Sequence, residues 1–250
     1  FMIFFCFSSK DRHTIVEAIL YHIRNYRIPV WYDRDQMLLG DERNHKNFVE
    51  GVEYSSYGII ILSPNSIQSY CANEEIDLMY EKYLKGTMHI FPIFFNLSAN
   101  EVPPKYEWLK KLVYKEITPS IDVRSTCNHV ICKFLVDDLS KHESRNFSSL
   151  EKRMNKMKCD PYILILLRSY LQLDEKNFNS RIALLYAGCS YIECSYDLSN
   201  APAYYTAGFK KLFNETKLSL EVDLRDILMI ENLFLLLVGT FIIGNLVKDV

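Results

Sequence analysis

The sequence predicts a doubly wound α/β domain followed by a mostly α-helical domain. Through residues 1–142, short apolar runs alternate with helical patterns, which indicates parallel strands joined by right-handed crossover helices. Beyond residue 147 only helical periodicity continues. We therefore expect a five-stranded parallel sheet in residues 1–142 and a helical sensor or oligomerisation domain in residues 147–250.

Three of the five predicted strands are continuous apolar runs, which is typical of strands that are covered on both faces. The five strands are expected at residues 2–7, 30–32, 57–62, 89–95 and 114–117. Pro92 lies inside the fourth run. Because proline cannot donate to a strand ladder, its position indicates a strand near an edge or with a bulge.

The helices between these strands are predicted from apolar spacing. Ile15, Ile19 and Ile23 form one stripe at helical spacing. Further helices are expected around residues 48–52, from about 73 to 84, briefly near 108, and from about 123 to 139. The regular alternation of strand and helix supports a doubly wound sheet.

The second half begins after a polar stretch, Lys141–Asn146, which is the predicted domain boundary. Ser148 with Glu151 is similar to a capping box, and Asp160-Pro161 is typical of an N-cap followed by proline at the first helical position. Further helices are expected around residues 177–195 and 203–213.

The most apolar segment is Leu228–Val247. Its charge-free core, residues 232–247, has 16 residues, whereas a membrane span needs about 20 apolar residues. The favoured interpretation is the central helix of a bundle or a buried oligomer contact. A membrane helix is the alternative.

Composition limits the function classes. A hydrophobic content of 49% is sufficient for a packed core, and a net charge of −2 gives no general basic field for nucleic acid. Seven cysteines without a CxxC pair favour a reducing, cytoplasmic setting. No metal site is predicted, because Cys127, His129 and Cys132 have no fourth ligand at suitable spacing.

Three motifs lie at predicted strand ends. They are FFCFSSKD at residues 4–11, VWYD at 30–33 followed by LGD at 39–41, and IILSPN at 60–65 followed by Ser69-Tyr70-Cys71 and Glu75-Ile76. In this order and spacing they resemble the TIR (Toll/interleukin-1 receptor) family. The resemblance covers residues 1 to about 140 and implies a flavodoxin-like topology, with a mobile loop at Asp33–Asp41.

The resemblance also implies a catalytic glutamate. In enzymatic members, the glutamate of the third motif is essential for breaking the bond between nicotinamide and ribose. That role falls on Glu75, because Ile76 matches the apolar residue that follows the family's glutamate. Counting from Cys71 selects Glu74 instead. Many catalytic members have a tryptophan where this sequence has Cys71, and Tyr70 is an alternative source of an aromatic ring.

This chemistry suits a single carboxylate. Breaking the bond produces oxocarbenium-like charge on the sugar, which a nearby carboxylate stabilises. Nicotinamide leaves neutral because it begins as a cation, so no general acid or metal is required. NAD+ is then a substrate, and no cofactor is expected. Glu75 at a helix start has a structural alternative, since a carboxylate there also stabilises the helix dipole.

The expected binding residues follow the first two strands, where ligands bind in doubly wound sheets. Ser8 and Ser9 are candidates for ribose or phosphate oxygens, and Phe7 and Trp31 (or Tyr32) for stacking on a ring. Asp33 and Cys71 complete the set. Helix capping by the serines, core packing of Trp31 and loop capping by Asp33 are the structural alternatives.

We therefore expect an NAD+ glycohydrolase or cyclase, cytoplasmic and acting in immune, anti-phage defence. The resemblance implies homo-oligomerisation through TIR–TIR contacts. Our own hypothesis is that the C-terminal domain controls this assembly in response to a protein or nucleotide trigger. One alternative is a non-enzymatic TIR adaptor. Another is a nucleoside deoxyribosyltransferase-like enzyme, which shares the sheet architecture and a catalytic glutamate. The product remains open between ADP-ribose, a cyclic isomer and a conjugate.

Overall fold

The computed structural model describes residues 2–119, 123–142, 146–217 and 222–244. The chain divides into two compact units. The first consists of Phe1–Arg24 and Ile28–Cys127, and the second of Asn25–Arg27 and Asn128–Val250.

The first unit contains the predicted five-stranded parallel sheet. Its strands are β1 (Ile3–Cys6), β2 (Val30–Trp31), β3 (Tyr57–Leu62), β4 (His89–Phe95) and β5 (Lys115–Ile117). They are ordered β2-β1-β3-β4-β5, and every pair is parallel. All residues of β1 and β3 are buried. The doubly wound sheet predicted from the apolar runs is confirmed.

Pro92 lies in a part of β4 that is paired on one side. On the β3 side it is in register with Ile60. On the other side, β5 pairs with β4 only from Ile93 to Phe95. The proline therefore precedes the β5 pairing, where a missing N–H is tolerated, which agrees with a strand that is locally an edge.

Helical segments connect these strands. In chain order they are the 3₁₀ turn Ser9–Asp11, the π-helical turn Arg12–Val16, α1 (Glu17–Asn25), the short helix α2 (Asp33–Gln36), the π-helix His45–Glu53, the short helix α3 (Pro64–Ile67), α4 (Tyr70–Leu84), the 3₁₀ turn Ala99–Glu101 and a 3₁₀ helix at Pro104–Lys111. α4 begins three residues earlier than predicted, because the Ser69 side chain accepts a hydrogen bond from the Ala72 N–H and acts as the N-cap.

The second unit is helical. It contains most of α5 (Val123–Leu139), then α6 (Phe147–Met157), α7 (Pro161–Leu171), α8 (Phe178–Ser195), α9 (Ala203–Thr216) and α10 (Leu224–Leu237). Asp160 caps α7 through the Tyr162 and Ile163 N–H groups, as predicted. The predicted Ser148–Glu151 capping box is wrong, because α6 begins earlier and Asn146 caps it by accepting from the Ser149 N–H.

α10 is the central apolar helix of this unit. With the following π-helical turn it forms Leu224–Ile243, within the described residues the one helix long and apolar enough to cross a membrane, and 78% of its most apolar window is buried. Gly188 of α8 allows close approach, since a Cβ there would lie 2.6 Å from the Phe234 ring. This burial agrees with a central bundle helix. Val247, the predicted end, lies outside the described residues.

The two units divide inside α5, between Cys127 and Asn128. Cys127 Sγ contacts the Ile19 carbonyl of the first unit, whereas Asn128 Nδ2 donates to Asp226 Oδ1 of the second, at 3.1 Å. The predicted domain limits, residues 142 and 147, lie further along the chain. Residues 143–145 of the predicted boundary are outside the described residues.

Candidate functional site

A cleft of about 260 Å³ lies at the carboxyl ends of β1 and β2. This is the edge at which doubly wound sheets bind ligands. The lining combines aromatic, acidic and basic side chains with one amide and small polar groups: Phe5, Phe7, Ser9, Arg12, Trp31, Asp33, Met37, Arg43, Asn47, Ser69, Cys71 and Glu75.

Glu75 is the buried carboxylate of this cleft. It lies in α4 and is only 9% exposed. Asn47 Nδ2 donates to its Oε1 at 2.5 Å, and the Cys6 thiol also bonds to it. Burial raises the pKa of Glu75 to about 7, and the bonds from Asn47 and Cys6 oppose that rise.

The carboxylate of the neighbouring residue, Glu74, lies outside the cleft. Glu74 does not line the cleft, and its Oε2 accepts a hydrogen bond from Arg43 Nη2 at 3.0 Å. Tyr70 is 73% exposed and bonds to Glu74, so it brings no aromatic ring to the cleft. Of the two glutamates that the motif left open, Glu75 is therefore the one that lines the cleft.

Arg12 and Asp33 form the polar side of the cleft. Arg12 Nη1 and Nη2 donate to Asp33 Oδ1 at 2.8 Å and Oδ2 at 2.6 Å, a bidentate pair. Arg12 Nη1 also donates to Tyr32 Oη at 2.7 Å. Asp33 thus has an ion-pair partner and is not simply a loop cap.

Two predicted aromatic residues line the cleft. The Phe7 ring stacks on Tyr32 with centroids 5.9 Å apart, and the Arg12 guanidinium lies 4.9 Å from the Phe7 ring centroid. Trp31 is 3% exposed and stacks on Phe4 at 5.0 Å. Trp31 is therefore a core residue of which one part contributes to the cleft wall.

The two serines after β1 have different surroundings. Ser9 lines the cleft. Ser8 does not: it is 3% exposed, and its hydroxyl accepts from the Lys10 N–H at 3.4 Å as the N-cap of the 3₁₀ turn Ser9–Asp11. The position of Ser8 therefore favours the capping alternative over contact with a ligand.

Other motif residues connect the loops around the cleft. Asp11 is buried and accepts hydrogen bonds from Ser63 Oγ at 2.5 Å and from Asn65 Nδ2 at 2.6 Å. The first and third motifs are thereby joined at the carboxyl ends of β1 and β3. Asp11, Ser63 and Asn65 hold the loops in place and do not line the cleft.

Sequence reasoning missed half of the lining. The missed residues are Phe5, Arg12, Met37, Arg43, Asn47 and Ser69. Ser69 could have been found from the sequence, because it belongs to the third motif. The signal for Asn47 is its spacing of four residues from Gly51, which places both residues on one face of a helix. Arg12 and Arg43 carry no local signal, because their partners, Asp33 and Glu74, lie in other elements of the chain.

A family model described as "TIR domain" matches residues 3–127. A 2′ cyclic ADP-D-ribose synthase, BtTIR of Bacteroides thetaiotaomicron, is 29% identical over 99 residues, 40% of this chain and 34% of that protein. An NAD(+) hydrolase, TcpA of Theionarchaea archaeon, is 26% identical over 100 residues, 40% of this chain and 30% of that protein.

A third relative aligns over a longer stretch. The NAD(+) hydrolase PdTIR of Paracoccus denitrificans is 27% identical over 121 residues, 48% of this chain. The chain spans 40% of that protein, so in all three cases it covers less than half of the curated relative. The TIR domain of the Hydra magnipapillata receptor TRR-2 superposes with a TM-score of 0.42 at 16% identity, over 52% of this chain and 94% of that one, which is too distant to bear on function.

Proposed function

The chain belongs to the TIR domain family, and from that premise we propose that it cleaves NAD+ at the bond between nicotinamide and ribose. The observation that carries the proposal is the buried Glu75 carboxylate in the cleft at the ends of β1 and β2. The relatives named as NAD(+) hydrolases and 2′ cyclic ADP-D-ribose synthases support the same chemistry.

The reaction needs stabilisation of a cation. When the glycosidic C–N bond breaks, its electron pair leaves with the nicotinamide nitrogen, and positive charge develops on the ribose. The Glu75 carboxylate stabilises that charge and accepts hydrogen bonds from the sugar hydroxyls. Capture of the sugar by water gives ADP-ribose, and capture by a hydroxyl of the same molecule gives a cyclic product; in both cases the attacking O–H loses its proton to solvent. Either product is compatible with this cleft.

The protonation state of Glu75 fits this role. With a pKa of about 7 the free carboxyl is about half ionised at neutral pH. The substrate's nicotinamide is cationic, and an opposite charge within a few ångströms favours the carboxylate form. NAD+ binding therefore promotes the ionised state that the reaction uses.

The remaining lining suits the rest of the nucleotide. Phe7 and Trp31 offer ring surfaces for stacking, and Arg43 lies beside Glu75 as a cation for an anionic group. Ser9 offers a hydroxyl to ribose or phosphate oxygens. We propose Ser9, Phe7, Trp31, Asp33 and Cys71 as binding residues, with Glu75 as the catalytic residue.

We also propose that the site is completed by a second copy of the chain. A volume of about 260 Å³ is below the roughly 300–1,000 Å³ of small-molecule sites, so the cleft holds only part of a dinucleotide. Leu38 and Leu39, in the loop Asp33–Asp41, are 74% and 108% exposed. Their burial against a second copy would close the site, with the helical unit receiving the trigger.

A cytoplasmic defence role is part of this proposal. All seven cysteines lie within the described residues and are thiols, not disulfides, which suits a reducing compartment. Depletion of NAD+ after assembly is a means by which such a protein would stop the growth of an infected cell.

The test compares wild type, Glu75→Gln and Glu74→Gln with NAD+ and resolves the products by chromatography. We expect Glu75→Gln to lower turnover about a hundred- to a thousandfold, since it removes the charge that stabilises the transition state. Glu74→Gln should retain turnover within about tenfold. If folded wild-type protein cleaves no NAD+ at any protein concentration, the adaptor interpretation is favoured. Turnover of deoxynucleosides would favour the deoxyribosyltransferase-like enzyme.

A further inference from the structure

Asn47 is a buried amide whose bond to Glu75 joins two distant parts of the chain. It is 4% exposed, and its Nδ2 lies 2.5 Å from Glu75 Oε1, 28 residues away in sequence. A buried amide requires hydrogen-bond partners, and a bond to a charged acceptor is among the stronger ones. Asn47 therefore contributes a fixed donor to the carboxylate of the proposed reaction.

The backbone around Asn47 is unusual. Residues His45–Glu53 form a π-helix, named here the π segment. π-Helical turns are rare and occur frequently at functional sites, because the wider turn rotates the following side chains relative to an α-helix. In this segment the wider turns bury Asn47, Gly51 and Val52 against the sheet side, while Asn44 just before it is exposed.

Gly51 sets how closely the π segment approaches the sheet. A Cβ at Gly51 would lie 2.8 Å from Phe4 Cε2 and 3.0 Å from Trp31 Cε2. Only a residue without a side chain therefore fits at this distance. Since Asn47 and Gly51 are four residues apart on the buried face, this contact also sets the depth at which the Asn47 amide lies.

Lys82 holds the other end of the π segment. Its Nζ donates to the carbonyl oxygens of Val52 at 2.9 Å, Ser55 at 3.0 Å and Glu53. These carbonyls lie at or just after the end of the π segment, and the Val52 carbonyl also accepts a hydrogen bond from the Ser55 N–H. Lys82 lies two helical turns after Glu75 on α4, so α4 binds the π segment at both ends.

We propose that Asn47 is a positioning residue that orients the Glu75 carboxylate for NAD+ cleavage and favours its ionised form; this inference rests on the proposed function of Glu75. The bond occupies one of the roughly four lone-pair sites of the carboxylate and leaves the others to the sugar. Other groups act on Glu75 as well: the Cys6 thiol from β1, Asp33 after β2 and Arg43 before the π segment. Arg12 also lines the cleft.

The first test measures kcat and KM from pH 5.5 to 9 for wild type, Asn47→Ala and the control Asn44→Ala. Losing the donor raises the Glu75 pKa, so the acid limb of kcat/KM should move up by about one pH unit in Asn47→Ala. That shift lowers kcat/KM about fivefold at pH 7 and almost not at all at pH 9. Asn44→Ala removes the same amide at an exposed position and should leave the profile unchanged.

Asn47→Asp provides a variant of nearly the same volume, in case Asn47→Ala does not fold. A second carboxyl beside Glu75 repels its charge, so the acid limb should move at least as far. A purely structural role would lower the rate by the same factor at every pH in both variants. That uniform loss, or an unmoved acid limb, would overturn the proposal.

A carbon-13 titration of the glutamate carboxyls separates this inference from the proposed function. The Glu75 signal is assigned by its absence in Glu75→Gln, and its midpoint is compared between wild type and Asn47→Ala. An upward shift of the midpoint supports the Asn47–Glu75 coupling even where NAD+ is not turned over. An unchanged midpoint rejects the coupling even if Glu75 proves catalytic.

Discussion

Arg12 binds Asp33 with two hydrogen bonds, from Nη1 to Oδ1 at 2.8 Å and from Nη2 to Oδ2 at 2.6 Å. The π-helical turn that follows β1 is thereby attached to the beginning of the Asp33–Asp41 loop after β2. The arginine side chain is 11% exposed and the aspartate side chain 34% exposed. Because a bidentate pair of this kind is partly shielded from water, its loss affects both stability and the shape of the cleft.

We expect Arg12→Ala to lower the free energy of unfolding by about 1–3 kcal/mol, because Asp33 and Tyr32 lose a partly buried donor. KM for NAD+ should rise several-fold as the Asp33 loop loses its attachment. Urea unfolding and initial-rate kinetics measure the two effects. Arg34→Ala, which removes an exposed pair with Glu17, is the control and should change stability by less than about 1 kcal/mol. An equal loss of unfolding free energy in Arg12→Ala and Arg34→Ala would contradict the stabilising role of the Arg12–Asp33 pair.

NAD+ cleavage should depend on pH through Glu75. Since the carboxylate form is the active one and its pKa is about 7, kcat/KM should rise about tenfold between pH 6 and pH 8. The midpoint for kcat should lie lower, because the bound cationic substrate stabilises the carboxylate. Initial rates at low and saturating NAD+ measure both midpoints. A flat profile between pH 5 and pH 8 would speak against the mechanism.

The Glu75 carboxylate should also lower the free energy of unfolding at alkaline pH. Its folded pKa is raised from 4.5 to about 7, so the folded state retains a proton that the unfolded state has lost between these values. The corresponding stability is present at low pH and is lost as pH rises through about 7. Glu75→Gln should therefore be more stable than wild type by about 3 kcal/mol at pH 8, and by less than about 1 kcal/mol at pH 5.

Denaturant unfolding at the two pH values measures this difference. Glu81→Gln replaces an exposed carboxylate on the same helix and should change stability by less than about 0.5 kcal/mol at either pH. A Glu75→Gln protein that is no more stable than wild type at pH 8 would show that the carboxylate is better solvated than its burial indicates.

Phe234 provides a test of α10 as a core helix. Its side chain is fully buried, and its ring lies 5.9 Å from that of Phe147. Phe234→Ala should cost about 3–5 kcal/mol through the cavity it leaves. Leu228→Ala, at a 40% exposed position of the same helix, should cost much less. Unfolding of the full chain followed by circular dichroism would reveal the difference, and equal effects would argue that α10 is not packed in a protein core.

Much of the fold follows from local sequence. The apolar runs at 57–62 and 89–95 coincide with β3 and β4, and the helix predicted at 123–139 coincides with α5. Asp160-Pro161 correctly marked the beginning of α7. These features are local, since strand and helix periodicity and capping depend on residues within one or two turns of each other. The third motif likewise selected Glu75 from its neighbours, and the structure has that side chain in the cleft, while its catalytic role stays a prediction.

Only the tertiary structure decided the surroundings of that glutamate. Asn47 reaches Glu75 from the π segment, Arg43 pairs with Glu74, and Ser8 caps a helix instead of lining the cleft. The chain likewise divides inside α5 because the side chains at the two ends of this helix contact different units. No local pattern encodes such contacts, because they join residues far apart in sequence through the packing of elements on the sheet. The sequence alone determined the strands and helices and the position of Glu75 in the chain. The burial of Glu75 and the partners that govern its charge depend on how the elements pack.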